Sequence, residues 1–368
     1  ARVCFAAFTW NSDYLDQLKS PAYESPAIAI TWDRDYYRNH REGNITVLPK
    51  ETTPVIMEFF AKEPEARRLL GKDPFDVKSV ARYWIQESVS KEKSAERVVV
   101  DKLLDYVKKR GPKVYSDSIS IWRSSAYVIK KRLEKCSEEE RVVLSDSIGY
   151  FESKCDKAKE AIGRMRNIGV KCMPAELHIP VDSVAVYESG MMIPENAPLP
   201  EYMRIDFSGK KSFEQYKMVH IDMIANAEWK RPVYMSYTIL NSDFYTYLKR
   251  FFVIEGMALR VTPFDWSKYG YDIDEINKGD YPVDIDKTYN NVMTRFVWGG
   301  IKEKENYYAD EVIREFATYH HQLFAKLADA MYKKIVKDGD EGRDYSELLR
   351  KLVDLLEKQH MELQKRFR

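Results

Sequence analysis

The residues of this sequence that could do chemistry come in pairs rather than in complete catalytic sets. His178, His220 and Asp222 would make an acid–base group if a strand and a helix met, but His220 and Asp222 stand two apart on a helix pattern and so face different ways. His320 and His321 are adjacent on a helix pattern, so their side chains diverge by about 100° and cannot share one metal. Asp272 and Asp274 open like a calcium loop, yet Asn277 occupies the turn position where that loop requires glycine, which leaves an acidic loop. Cys4, Cys136, Cys155 and Cys172 are scattered without C-x-x-C spacing. Cys136 and Cys155 can meet across a helical hairpin in an oxidising compartment, but buried free thiols are the expectation. There is no phosphate-cradling glycine loop, no dinucleotide fingerprint, no nucleophile elbow and no H-E-x-x-H. No catalytic residue, metal or cofactor is therefore expected in the chain.

A denser group of functional side chains occupies 221–263, where IDMIANAEWKRPVYMSYTIL leads into NSDFYTYLKRFFVIEGMALRVTP. Trp229, Lys230, Arg231, Tyr234, Glu255 and Arg260 fall within it, and Trp298 follows in TYNNVMTRFVWGG. The structural reading of the same residues is a buried Trp229, a Pro232 that sets a strand entry, and Glu255 paired with Arg231 or Arg260.

Elements must hold these groups in place. Residues 1–8 and 26–32 read as strands, with a short helix capped by Asn11 or Ser12 between them. The string DRDYYRNHREGN alternates cations with tyrosines as a sugar- or nucleic-acid-binding patch does. Its acids dilute the charge, so an exposed loop before a strand at 45–48 is favoured. Helices are expected at 54–70 and 76–88. Between 91 and 164 the composition turns charged and helical, with 18 Lys and Arg against 13 Asp and Glu. Gly111-Pro112 should break this stretch, 114–132 is ambiguous but mostly helical, and Ser137 with Glu140 makes a capping box. LHIPVDSVAVYE and YMRIDFSG then read as strands, and 211–226 as a helix. Near the end, Asp310 should cap a helix lined by Phe316, Leu323, Leu327, Met331 and Ile335. A second, capped by Asp344, carries Leu348, Leu352, Leu356 and Leu363, and together they form a hairpin.

The 59 basic and 58 acidic residues cancel, so no overall field would recruit nucleic acid, and no run reaches the roughly 18 apolar residues of a membrane span. The chain is expected to be an α+β protein, a small mixed sheet core with flanking helices, a charged helical insertion and a C-terminal helical hairpin. Its divisions are expected at 1–90, an N-terminal α/β segment; 91–168, the insertion; 169–303, a strand-rich segment completing the N-terminal unit; and 304–368, the hairpin.

ANAEWKRPVYMSYTI followed by YLKRFFVIEGMALRVTP resembles the W-K-R-P and Y-F-x-L-E-G-L-A-Y-R patterns of a bacterial family of multi-pass membrane proteins. Those proteins are similar to protein O-mannosyltransferases. ARVCFAAFTWNSDYLDQLKSPAY, HIPVDSVAV and TYNNVMTRFVWGG agree with it in order, over 1–60 and 170–335. The resemblance implies an extracytoplasmic, periplasmic-face domain cut from a longer chain, as its start at Ala1 within an apolar run also suggests. Its partner would be the upstream membrane-spanning part of the same polypeptide, where the sugar-transfer machinery sits, and it would assist glycan or protein acceptor recognition or assembly. On the residues that match the pattern, Trp229, Lys230, Arg231, Tyr234, Glu255, Arg260 and Trp298, the resemblance implies an acceptor or glycan surface, in which Trp and Tyr rings stack on sugar faces while Arg and Glu bond hydroxyls. The contrasting expectation is a non-catalytic protein-interaction module that uses the helical insertion and the hairpin.

Overall fold

A computed structural model describes residues 11–22, 25–40, 43–239, 245–296 and 311–359. The expected strand at 1–8 and the residues Cys4, Trp298, Asp310 and Leu363 lie outside them. The chain forms two compact units. One comprises 1–180 and 204–228, the other 181–203 and 229–368. Both are α+β, with sheets of two or three strands flanked by helices.

The strands, in chain order among the described residues, are β1 (Asn44–Val47), β2 (Cys172–Met173), β3 (Glu176–Pro180), β4 (Tyr202–Asp206), β5 (Ser212–Glu214), β6 (Tyr234–Ser236), β7 (Phe252–Ile254) and β8 (Ala258–Val261). In the first unit β1 is central, parallel to β2 and antiparallel to β5 with Ile45 opposite Phe213. A parallel neighbour needs a long crossover. Here it includes two long helices, Ala95–Leu133 and Glu138–Arg166, that pack as a hairpin. Ile45, Val47, Val100, Leu103, Val107 and Met165 are all sealed from solvent, each contributing about 1.5–3 kcal/mol.

The first of these helices runs through Gly111-Pro112, where the sequence predicts a break. Proline removes one backbone bond and costs about 3 kcal/mol in an unsupported helix. The partner helix supplies compensation, because Gly111 lets Met165 come so close that a Cβ would lie 2.7 Å from its sulfur. Farther along, Ile119, Cys155 and Ala158 make a separate core layer. Cys155 is a buried free thiol there, and Cys136, also free, is half-buried at the helical connection.

Several other elements differ from expectation for local reasons. Pro64 divides 54–70 into Thr53–Lys62 and Pro64–Leu70, since the residue before a proline avoids the helical region. Residues 26–32 join no described sheet; Ile28 N–H bonds Leu18 O at 2.8 Å and Thr31 is held by Asp222. Within the DRDYYRNHREGN string, Arg34–Asn39 form a helix instead of a loop. After β3, Asp182 accepts from Val184 N–H at 3.0 Å and starts the helix Ser183–Glu188, which turns VDSVAVYE away from strand.

In the second unit β8 lies between β6 and β7, antiparallel to both. The C-terminal helices Glu311–Asp340 and Ser346–Gln359 pair as expected. Leu323, Leu327 and Met331 form the buried face of the first. On the second the fully buried leucine is Leu355, whereas Leu356 is half exposed. The expected stripe is rotated by one position, because Leu348, Leu352 and Leu355 follow the i, i+4, i+7 spacing that keeps one face inward. Among the described residues no helix is long and apolar enough to cross a membrane.

Candidate functional site

The β7–β8 turn assembles a group of buried charges in the second unit. Gly256 has φ +65°, the left-handed region glycine adopts without strain, and its N–H bonds Thr288 Oγ1 at 3.0 Å. Thr288 also donates to Ile254 O at 3.2 Å, so the turn is fixed from both ends. This leaves Glu255 facing inward beside Arg260, which stands opposite Tyr234 across the β6–β8 ladder.

Arg260 Nη1 donates to Glu255 Oε1 at 3.0 Å and Nη2 to Ser189 O at 3.1 Å. Lys287 Nζ reaches Glu255 Oε1 at 2.8 Å and also donates to Gly190 O. Tyr234 OH donates to Glu255 Oε2 at 2.7 Å. Glu255 and Arg260 are 7% and 2% exposed, so water contributes little to either charge. Two cations and one hydroxyl thus converge on one carboxylate, while Asp284, 3.3 Å from Lys287, balances the remaining charge.

Burial pushes the Glu255 carboxyl upward, but the bonds from Lys287 and Tyr234 and the charge of Arg260 outweigh it and hold it below the ordinary range. Burial, with the adjacent carboxylate, lifts the Tyr234 hydroxyl to about 12. A carboxylate whose two oxygens already accept several bonds is a poor proton acceptor for a substrate, so this arrangement suits recognition more than acid–base catalysis. Tyr234, 44% exposed, and the Lys287 side chain reach solvent, and the Arg260 guanidinium lies 5.8 Å from the centre of the Tyr234 ring.

Of the side chains singled out from sequence, Tyr234, Glu255 and Arg260 come together. Trp229 is buried, with φ +60° directly after Glu228 at +51°, so its ring belongs to the fold and offers no open stacking face. Lys230 is exposed and Arg231 half-buried on the approach to β6. Sequence reasoning missed Lys287 and the Ser189 and Gly190 carbonyls. The one available signal was that Lys287 immediately precedes the TYNNVMTRFVWGG segment and follows Asp284, which caps the helix Ile285–Asn290 through Lys287 N–H at 3.1 Å. Asp272 likewise caps the helix Ile273–Asn277, which accounts for that acidic stretch without a metal.

The histidine group separates onto different partners in the first unit. His178 Nδ1 lies 2.7 Å from Asp73 Oδ2 and Nε2 lies 3.2 Å from Glu176 Oε1. Burial lowers the histidine's pKa, but the two acids outweigh it and the net direction is upward. Asp222 instead accepts from Thr31 N–H at 2.6 Å and from Asn226 Nδ2 at 3.0 Å, and burial raises its pKa to about 6.

No curated protein and no solved structure matches this chain. Residues 102–280 match the family model described as TMEM260-associated domain 2, a stretch that includes most of the charged helical hairpin as well as Tyr234, Glu255 and Arg260. Over those residues the chain is similar to that domain, which is consistent with a domain of a TMEM260-like membrane protein family.

Proposed function

We propose that this chain is the extracytoplasmic part of a protein O-mannosyltransferase-like membrane protein, in which the edge at Tyr234, Glu255 and Arg260 receives an acceptor or glycan. The observation that carries this reading is the half-exposed Tyr234 set against a buried Glu255–Arg260 pair whose carboxylate accepts from Arg260, Lys287 and Tyr234. Such a platform stacks on a sugar face without much reorganisation, because the Glu255, Arg260 and Lys287 side chains behind it are already tied to one another and to the Ser189 and Gly190 carbonyls. The match to TMEM260-associated domain 2 supports the parentage. The transfer chemistry belongs, on this reading, to a membrane-spanning part of the same polypeptide. Titration with methyl α-mannoside, followed by tryptophan fluorescence, should give a saturable change that is lost in Tyr234→Ala. No saturable change in the unaltered chain overturns the glycan role.

A second reading, a protein-interaction module, is favoured by the apolar side chains exposed on the long hairpin, Ile121, Val128, Val142 and Val143. Under it, Ile121→Glu with Val128→Glu would abolish co-purification with the membrane-spanning part and leave any sugar response unchanged.

A further inference from the structure

A cleft of about 770 Å³ in the first unit is walled by the helix Arg34–Asn39 on one side and by residues between 82 and 94 on the other. It lies outside the family match and is independent of the Glu255 cluster. Part of the wall is locked by its own bonds. Asp33 N–H donates to Gln86 Oε1 at 2.9 Å and Gln86 Nε2 returns to Asp33 Oδ2 at 2.6 Å, while Glu87 accepts from the Ser94 N–H at 3.3 Å. The Asp35, Asn39, Lys91 and Glu92 side chains line the same cleft and make no hydrogen bond among the described residues. Arg82 joins them, 3.9 Å from Glu87. At the back, Tyr36 is 5% exposed and its hydroxyl is buried without a partner among the described residues.

The chemistry of the lining selects a ligand class. Of the charged groups in the lining, Asp33, Glu87 and Lys93 are already bonded, to Gln86, Ser94 and Asp101, which leaves Asp35 and Glu92 against Arg82 and Lys91; burial, with Lys171 nearby, lowers the pKa of His40 and favours its neutral form. The four acids and three bases of the lining come close to cancelling, so neither an anion nor a cation is strongly favoured. Val89 is the one aliphatic side chain in the lining, too little for a lipid or an apolar ring. The lining comes from helical turns and the segment after them, and offers no strand edge on which a peptide could extend. A neutral polyhydroxylated ring fits, since each hydroxyl both donates and accepts: it can give to Asp35, Glu92 and Asn39 Oδ1 and receive from Arg82, Lys91 and Asn39 Nδ2. We propose that this cleft is a binding site for a short neutral saccharide, held by the Asp35, Asn39, Arg82, Lys91 and Glu92 side chains.

The test is calorimetry and saturation-transfer NMR on the full chain with mannobiose, cellobiose, chitobiose and lactose, alongside inorganic phosphate and triglycine. At least one disaccharide should saturate. Asn39→Ala and Arg82→Ala, both at exposed positions, should each weaken it roughly three- to tenfold, the worth of one hydrogen bond, and Tyr234→Ala should leave it unchanged. The proposal is overturned if no disaccharide saturates, if phosphate or triglycine binds in its place, or if the two cleft variants bind as the unaltered chain does. Sugar binding lost in Tyr234→Ala but kept in Asn39→Ala overturns the cleft while leaving the Glu255 reading intact.

Discussion

Glu255 and Asp222 are both carboxylates removed from water, yet the two units treat them in opposite ways. Around Glu255 the partners are Arg260, Lys287 and the Tyr234 hydroxyl, and the carboxyl is held below its ordinary range. Around Asp222 the hydrogen-bond donors are the Thr31 amide and hydroxyl and the Asn226 amide, all neutral, and the carboxyl rises to about 6. Burial penalises a charge in either place. At Glu255 two cations and a hydroxyl together reverse the sign, whereas at Asp222 the neutral donors oppose burial without overcoming it. One carboxylate is therefore kept ionised inside an ion-pair network, and the other is tolerated as a tie between the 28–32 segment and the helix Gln215–Ala227, close to giving up its charge.

The largest test of that contrast is Glu255→Ala, which strands Arg260 in a 2% exposed position. It should cost about 3–5 kcal/mol in urea unfolding, the usual penalty for breaking a buried pair from one side. A loss below 1 kcal/mol would mean that the pair is solvated.

The next test uses pH. Asp222 has a folded-state pKa above its unfolded value of 3.8, so its contribution is full below about 3.8 and declines as pH rises through about 6, by on the order of 3 kcal/mol. Asp222→Asn should remove that decline, so that the difference in stability between pH 4 and pH 7 is smaller in the variant. Glu255 runs the other way. Its folded pKa lies below 4.5, so its contribution is present above that value and is lost as pH falls through the lowered one. An unchanged pH 4 to 7 profile in Asp222→Asn would remove the neutral-donor account.

The smallest effect belongs to Tyr234→Phe. It deletes one hydrogen bond to Glu255 and keeps the ring, so unfolding should lose about 0.5–1.5 kcal/mol while sugar titration is little changed. A loss as large as that of Glu255→Ala would make the hydroxyl, rather than Arg260 and Lys287, the main support of the carboxylate.

How much of this was readable beforehand depended on sequence distance. The pairing of Glu255 with Arg260 was one of two options visible from the stretch itself, because a tight Glu-Gly turn returns the chain beside its own start. The Ser137 cap, the β1 strand and the C-terminal hairpin were legible for the same local reason. Helix continuity at Pro112 was not, since the close approach of Met165 comes from residues more than fifty positions away. Asp182 did carry a local signal, a capping residue, but the apolar run after it fits strand and helix alike, and the choice fell to packing. The cleft behind Tyr36 was half visible: the cation–tyrosine string was conspicuous, while the opposing wall of Arg82 and Lys91 had no local trace.

By itself the sequence determined the α+β class, the caps, the turn at Gly256 and the types of side chain able to meet a sugar or a charge, since these follow from periodicity, steric freedom and chemistry over a few residues. Tertiary structure alone decided which charges face each other: that Lys287 and two backbone carbonyls complete the Glu255 group, that Asp222 has only neutral donors, and that Trp229 is buried. Electrostatic environment is set by distance in space, and no local rule of spacing encodes a partner a hundred residues away.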